Sequence, residues 1–306
     1  MSSQTASFED RAAGAMLGLA LGDALGAPHE GGPLERAFWL LLGLPHGRLL
    51  RWTDDTQMAA AAAESLIRRG GLDPDDLARR WAADARFLRG YGAGTWKWVR
   101  RVRAGQDRRT AALSAFPNGS FGNGGAMRAA PIGVFFRDRP AELEAAAAAA
   151  AAVTHAHPLG VEGGVLIALA AAAAMETSFT PAAFLRGLLA RGRREEFRSR
   201  LDWAASALDS SPSPEQARRR LGNGVAAHES VVTAVYSFAR HHDDFSAMME
   251  FILAVGGDTD TIGAMAGGLF GARNGVEGLP GTLLARLEQR ERLESLGREL
   301  ERRARA

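Results

Sequence analysis

Apolar residues recur at helical spacing along most of the chain, and no segment of useful length alternates with period two through β-branched residues as a sheet requires. From Phe8, the positions Phe8, Ala12, Ala15 and Leu19 fall on one helical face. Comparable patterns predict helices over 54–69, 74–90, 126–136, 140–153, 159–175, 181–190, 228–240, 244–254 and 260–273, ten or more in all. Gly70-Gly71, Pro117-Asn118-Gly119, His157-Pro158, Ser211-Pro212-Ser213-Pro214 and Leu279-Pro280-Gly281 mark the joints, and none has the composition of a flexible interdomain linker. The expectation is an all-α fold, a compact helical bundle forming a single domain over 1–306. The alanine tract Ala145–Ala152 suits a helix and signals nothing further.

Two of these helices carry glycine every fourth residue: Gly14, Gly18, Gly22 and Gly26 in the first, and Gly263, Gly267 and Gly271 near the end. Each such glycine costs about 1 kcal/mol of helix stability relative to alanine, so a whole stripe implies a compensating close approach between helices. The same spacing drives association in membrane spans, but Asp23, Asp258 and Asp260 make these stretches too polar for that. The two helices are expected at the centre of the bundle.

Composition narrows the chemistry. The 306 residues include no cysteine, which removes disulfides, thiolate metal sites and a cysteine nucleophile. The start from Met1 to Arg11 is polar and carries Glu9 and Asp10, unlike a secretory signal. The longest apolar run, Val165–Met175, falls short of the roughly 18 to 20 residues of a membrane span. A cytoplasmic protein with no membrane partner is expected. The pI of 9.6 accompanies a net charge of only +2. Lys97 is the only lysine, and arginines do not titrate near neutrality, so the high pI is no argument for nucleic acid. The clusters Arg193/Arg194, Arg218 to Arg220 and Arg290 to Arg305 are interleaved with glutamates and read as solvated helix faces. No exposed heptad demands a second copy, so a monomer is expected.

Five segments can carry chemistry. Trp52-Thr53-Asp54-Asp55-Thr56-Gln57 opens one helix and Gly256-Gly257-Asp258-Thr259-Asp260-Thr261 opens another. Thr and Asp at a helix start cap free N–H groups and favour the dipole, and either motif alone reads that way. Capping requires one acceptor, however, whereas crowded aspartates need neutralising if the ends are buried, and two such ends suggest shared hard cations such as Mg²⁺, Mn²⁺ or Ca²⁺. Gly22-Asp23-Ala24-Leu25-Gly26-Ala27-Pro28-His29-Glu30 ends a striped helix, with Glu30 as a movable ligand or acid/base and Asp23 as a buried hydrogen-bonding group. Ser120-Phe121-Gly122-Asn123-Gly124-Gly125-Ala126-Met127-Arg128 is a glycine-rich loop whose N–H groups suit phosphate, with Phe121 able to stack on a base or ribose. Val153-Thr154-His155-Ala156-His157-Pro158 offers a neutral histidine for a phosphate or a core contact. Leu221-Gly222-Asn223-Gly224-Val225 alone reads as a turn, His241-His242 as a solvated turn, and Trp96 and Trp98 as packing.

Taken in this order, the segments resemble the ADP-ribosylglycohydrolase family of all-α dimetal enzymes from Gly14 to Gly275. The resemblance implies two Mg²⁺ or Mn²⁺ ions held by Thr53, Asp54, Asp55, Asp258, Asp260 and Thr261. Within the family, Gly-Asp-x-x-Gly-x-x-x-Glu, Ser-Phe-Gly-Asn-Gly-Gly-Ala-Met-Arg and Leu-Gly-Asn-Gly-Val-Ala-Ala-His-Glu-Ser-Val look most like the serine-type branch. That likeness implies Glu30 near the scissile bond, with Asp54 and Asp55 completing the catalytic set. It places Ser120, Phe121, Gly122, Asn123 and Gly124 along the diphosphate and distal ribose, His155 on the diphosphate, and Gly224 with Val225 on the adenosine side. His228 and Val232 depart from the branch, which favours an aromatic residue and a proline there. The implied reaction frees ADP-ribose from O-linked, serine-type ADP-ribosylated protein. An arginine-specific N-linked hydrolase and a non-catalytic ADP-ribose-binding protein are the alternatives.

Overall fold

The computed structural model describes residues 6–30, 37, 41 and 49–306; the first five positions of the polar start lie outside them. Sixteen α-helices appear among the described residues. The first half runs α1 Phe8–Gly26, α2 Asp54–Arg69, α3 Pro74–Asp84, α4 Ala93–Arg103, α5 Arg108–Ala115, α6 Ala130–Phe136, α7 Pro140–Ala152 and α8 Pro158–Ala174. The second half runs α9 Pro181–Arg191, α10 Glu195–Ala207, α11 Pro214–Leu221, α12 Ala227–Arg240, α13 Phe245–Val255, α14 Thr259–Asn274, α15 Gly281–Leu284 and α16 Arg290–Arg305. No strand occurs among the described residues; extended pairing is limited to isolated bridges joining Leu50 to Leu287 and Gly122 to Ala226.

Helices α1 and α14 form the axis of the bundle, buried on nearly every face. They run antiparallel along the two glycine stripes: Gly14 meets Gly271, Gly18 meets Gly267, and Gly22 meets Gly263. A Cβ at Gly18 or Gly22 would fall on the carbonyl oxygen of Gly267 or Gly263, so the seam is backbone against backbone. Such contact gives the dispersion and Cα–H···O attraction that offsets the helix cost of so much glycine. Helices α2, α6, α8, α12, α13 and α16 surround this axis. On α16, Leu293, Leu296 and Leu300 are buried, and Gly297 lets the helix cross the backbone of Ala12 and Ala13.

Several boundaries differ from the pattern. The helix predicted over 74–90 stops at Asp84, because Arg89 is drawn away to stack 3.6 Å over Trp52 and to pair with both oxygens of Glu288. The helix predicted over 126–136 begins at Ala130, after a single tight turn at Asn123–Gly125. Helices α4, α5, α10, α11, α15 and α16 lie outside the predicted spans. The Arg290 to Arg305 stretch is not only a solvated face, since Glu301 on it is buried against Arg137. His241 and His242 are not fully solvated either; they pack on Phe251 and Phe179, each with one buried ring nitrogen lacking a partner. No helix of the described residues is long and apolar enough to cross a membrane.

Candidate active site

The start of α2 is organised from α1. The Asp23 carboxylate accepts from the Thr53 and Thr56 amides at 3.0 and 3.1 Å and from the Thr56 hydroxyl at 2.5 Å. Asp23 thereby does the capping as a fully buried hydrogen-bonding group, with its pKa raised to about 6 by burial against those hydrogen bonds. Thr53 adds a second cap, accepting from the Asp55 amide at 3.2 Å. With the free N–H groups already served, Asp54 and Asp55 are left to face a cavity of about 320 Å³.

The start of α14 reaches the same cavity by another route. Gly256 and Gly257 take positive φ angles of 71° and 84°, turning the chain sharply so that Asp258 and Asp260 line the wall. A side chain at Gly257 would collide with the carbonyl of Asn223, which accepts from the Asp258 amide at 2.9 Å. The Asn123 side chain donates to Ser230 at 3.0 Å and to Asp258. The turn at 221–225 is therefore a brace between two segments that line the cavity: Val225 also accepts from the Asn123 amide, and Phe121 from the Ala227 amide. Glu229 fills the space under Gly222 and accepts from the Gly224 amide at 3.1 Å.

Glu30, Asp54, Asp55, Asp258, Asp260 and Thr261 line one cavity, together with Ser120, Gly122, Asn123, Gly124, His155 and Val225. Ligand oxygens of Glu30, Asp258 and Asp260 lie within 4.8 Å of one another. Thr53, Phe121 and Gly224 are not among the cavity's lining residues: Thr53 caps α2, Gly224 precedes the lining Val225, and the half-exposed Phe121, between the lining Ser120 and Gly122, sets its ring edge-on to His157 at 5.8 Å. Burial raises Asp54 to about 8, helped by the charge of Asp23. Burial and neighbouring carboxylates also push Asp55 and Asp260 well above the ordinary range, and burial raises Asp258 against its hydrogen bond from Asn123. Burial and the adjacent Arg128 lower His155 to about 3, so the imidazole is neutral.

Three buried carboxylates, Asp55, Asp258 and Asp260, with the half-buried Asp54 beside them and only partial internal compensation, fit hard divalent cations. The Oδ2 atom of Asp55 is buried without a hydrogen-bond partner, and the donor set is all oxygen, as Mg²⁺ or Mn²⁺ prefers. The site also contains residues outside the set picked from sequence. Arg128 lines the cavity almost wholly buried, and Gly90 and Gly92, with Gly94 and Thr95 at the start of α4, line it together with Phe116. Arg128 ends the glycine-rich segment, but its depth depends on Trp81, Met58 and Thr154, which are distant in sequence. The alternating glycines were the available signal for the 90–95 stretch.

The fold and the site define a hydrolase of glycosidic bonds that acts on ADP-ribosyl groups, on the strength of its relatives. Residues 4–306 match the ADP-ribosylglycohydrolase family, and the chain belongs to it. The chain is similar to ADP-ribosylhydrolase ARH3 of Danio rerio, 32% identical over 309 residues covering 87% of this chain and 83% of that protein. It is 33% identical over 265 residues to ADP-ribosylhydrolase ARH3 of Homo sapiens, covering 76% and 73% of the two chains. A solved structure described as an ADP-ribosylglycohydrolase-related protein complex matches with a TM-score of 0.75 and 32% identity, over 97% of this chain and 99% of that one.

Proposed function

We propose that the chain, as one catalytic domain, hydrolyses the O-glycosidic bond between the distal ribose of ADP-ribose and a serine side chain, with two divalent cations, Mg²⁺ or Mn²⁺. The observation that carries this reading is the convergence of two acidic helix starts and Glu30 on one cavity that a glycine loop and a neutral histidine also line. The likeness to ARH3 supports the serine branch. A cytoplasmic monomer acting on ADP-ribosylated protein belongs to the same reading.

When bound, the cations supply Lewis-acid polarisation and a template for the ribose hydroxyls. Thr53, Asp54, Asp55, Asp258, Asp260 and Thr261 would hold them, and the helix N-termini offset part of the carboxylate charge. The glycine loop and His155 bind the diphosphate, and Phe121, Gly224 and Val225 border the nucleoside. Departure of the serine oxygen passes through an oxocarbenium-like state at the anomeric carbon. Glu30, beside Asp258 and Asp260, exchanges the proton that must leave the attacking water or reach the departing oxygen. Water adds to the ribose, the proton ends on serine, and the products are ADP-ribose and unmodified protein.

Mass-spectrometric detection of ADP-ribose from matched serine-linked and arginine-linked peptides, with Mg²⁺ and with a chelator, tests the reading. Metal-dependent release from serine is expected. Release from arginine alone overturns the branch and keeps the metal chemistry; tight ADP-ribose binding with no release from either overturns the hydrolase reading for these linkages.

A further inference from the structure

One buried chain of hydrogen bonds runs behind the diphosphate wall. Arg128 lies between the Trp81 ring, 3.9 Å from its guanidinium carbon, and Met58 Sδ at 3.5 Å. Its Nη2 donates to Thr154 Oγ1 at 2.6 Å, and that oxygen lies 2.7 Å from His155 Nδ1. An arginine can only donate, so Thr154 spends a lone pair on Arg128 and keeps its own hydrogen for another partner. The Thr154 oxygen keeps a second lone pair, so the roles in its contact with His155 Nδ1 follow the imidazole tautomer; no other acceptor takes the Thr154 hydrogen among the hydrogen bonds of the described residues, which favours Nδ1 as that acceptor. A neutral imidazole that accepts at Nδ1 carries its proton on Nε2. The far side of this ring borders the glycine loop: a Cβ at Gly124 would lie 2.8 Å from Nε2, and one at Gly122 would lie 3.4 Å away.

We propose that Arg128 and Thr154 are positioning residues that fix His155 in the Nε2–H form, so that the wall presents a hydrogen-bond donor to the substrate's diphosphate. A reversed tautomer would turn a lone pair toward the phosphate oxygens instead. The positive charge of Arg128, standing behind the imidazole, further opposes its protonation. Arg128 also acts electrostatically on Asp54 and Asp55, so one residue touches both the imidazole relay and the carboxylates. The diphosphate half of this proposal rests on the function proposed above; the tautomer half does not.

The test is ¹⁵N NMR of imidazole-labelled full-length protein, with His155 assigned from its loss in His155→Gln, alongside calorimetric binding of ADP-ribose in Mg²⁺ buffer. Wild type is expected to show protonated Nε2 and unprotonated Nδ1. Thr154→Val removes the relay while keeping the shape, and should populate both tautomers and raise Kd about tenfold, about 1.4 kcal/mol. Thr154→Ser should restore one tautomer and near-native Kd, which a purely structural role for the methyl group does not predict. Wild-type His155 protonated at Nδ1, or Thr154→Val keeping the Nε2–H form alone, overturns the relay. A changed tautomer with unchanged Kd in both Thr154→Val and His155→Gln leaves the relay standing and overturns the diphosphate contact. Should Thr154→Val fail to fold, the wild-type and Thr154→Ser spectra decide the tautomer.

Discussion

Helices α2 and α3 pack against one another and begin alike, with a capping residue, then two acidic residues in the first turn. On α3, Asp73 caps, and the buried Asp76 receives Ser65 at 2.6 Å, Arg69 at 3.1 Å and Arg68, with Arg80 at 3.4 Å. Burial pulls the Asp76 carboxyl upward, but these hydrogen bonds and charges outweigh it and hold it well below its usual range. On α2, the capping is done by Asp23 and Thr53, and the remaining carboxylates face other carboxylates. Their shifts run the other way. An acidic helix start is thus a stabilising element when its counter-charge is built into the chain, and a binding element when the counter-charge must arrive from outside.

Changes at the two starts should separate these roles. Asp55→Asn should lower turnover at saturating Mg²⁺ by about 100-fold or more, while raising the unfolding temperature of the chelated protein because one repulsive carboxylate is gone. Equal turnover to wild type would remove Asp55 from the reaction. Next in size, Mg²⁺ at about 100 times its Kd should stabilise the wild type by about 2.7 kcal/mol in differential scanning calorimetry. That gain should shrink in Asp260→Asn and persist in Asp76→Asn; the reverse pattern would break the comparison.

Asp76→Asn should cost about 2 kcal/mol in urea unfolding at pH 7 and leave turnover per folded molecule unchanged. Because the folded-state pKa of Asp76 is depressed, its contribution is complete above the unfolded value of about 3.9 and fades as pH falls through the folded value. The wild type and Asp76→Asn should therefore begin to converge in stability below about pH 4 and meet only once the pH has fallen past the folded value, and a gap persisting in strong acid would assign the loss to packing. Ser65→Ala, which removes one of several hydrogen bonds to Asp76, should cost about 1 kcal/mol in the same assay.

The resemblance of the two starts also marks how far sequence reaches. Adjacent aspartates beside threonine at 53–55 and alternate ones at 258–261 announced an unusual density of negative charge, and the glycine stripes announced the axis that carries both. The local pattern shows only part of where the arginines go: Asp76 has Arg79 and Arg80 one turn on along its own helix but finds Arg68 and Arg69 through the α2–α3 packing, while Arg128 comes to the cavity through a chain fold no periodicity encodes. Helices α10, α11 and α16 escaped because arginine and glutamate crowd their sequences and dilute the apolar signal. The spacing of Leu293, Leu296 and Leu300 was nevertheless there to be read.

The seam between α1 and α14 has a consequence for divergence. Ordinary helix contacts pass through side chains, and each core substitution moves the partners by a fraction of an ångström. Here Gly22 and Gly263 touch through main chain just where α1 delivers Asp23 to α2 and α14 delivers Asp258 and Asp260. The separation of the two acidic ends is gauged by peptide dimensions, which do not mutate. Such a gauge lets the surrounding interior drift, generation after generation, without retuning the distance on which two cations would depend.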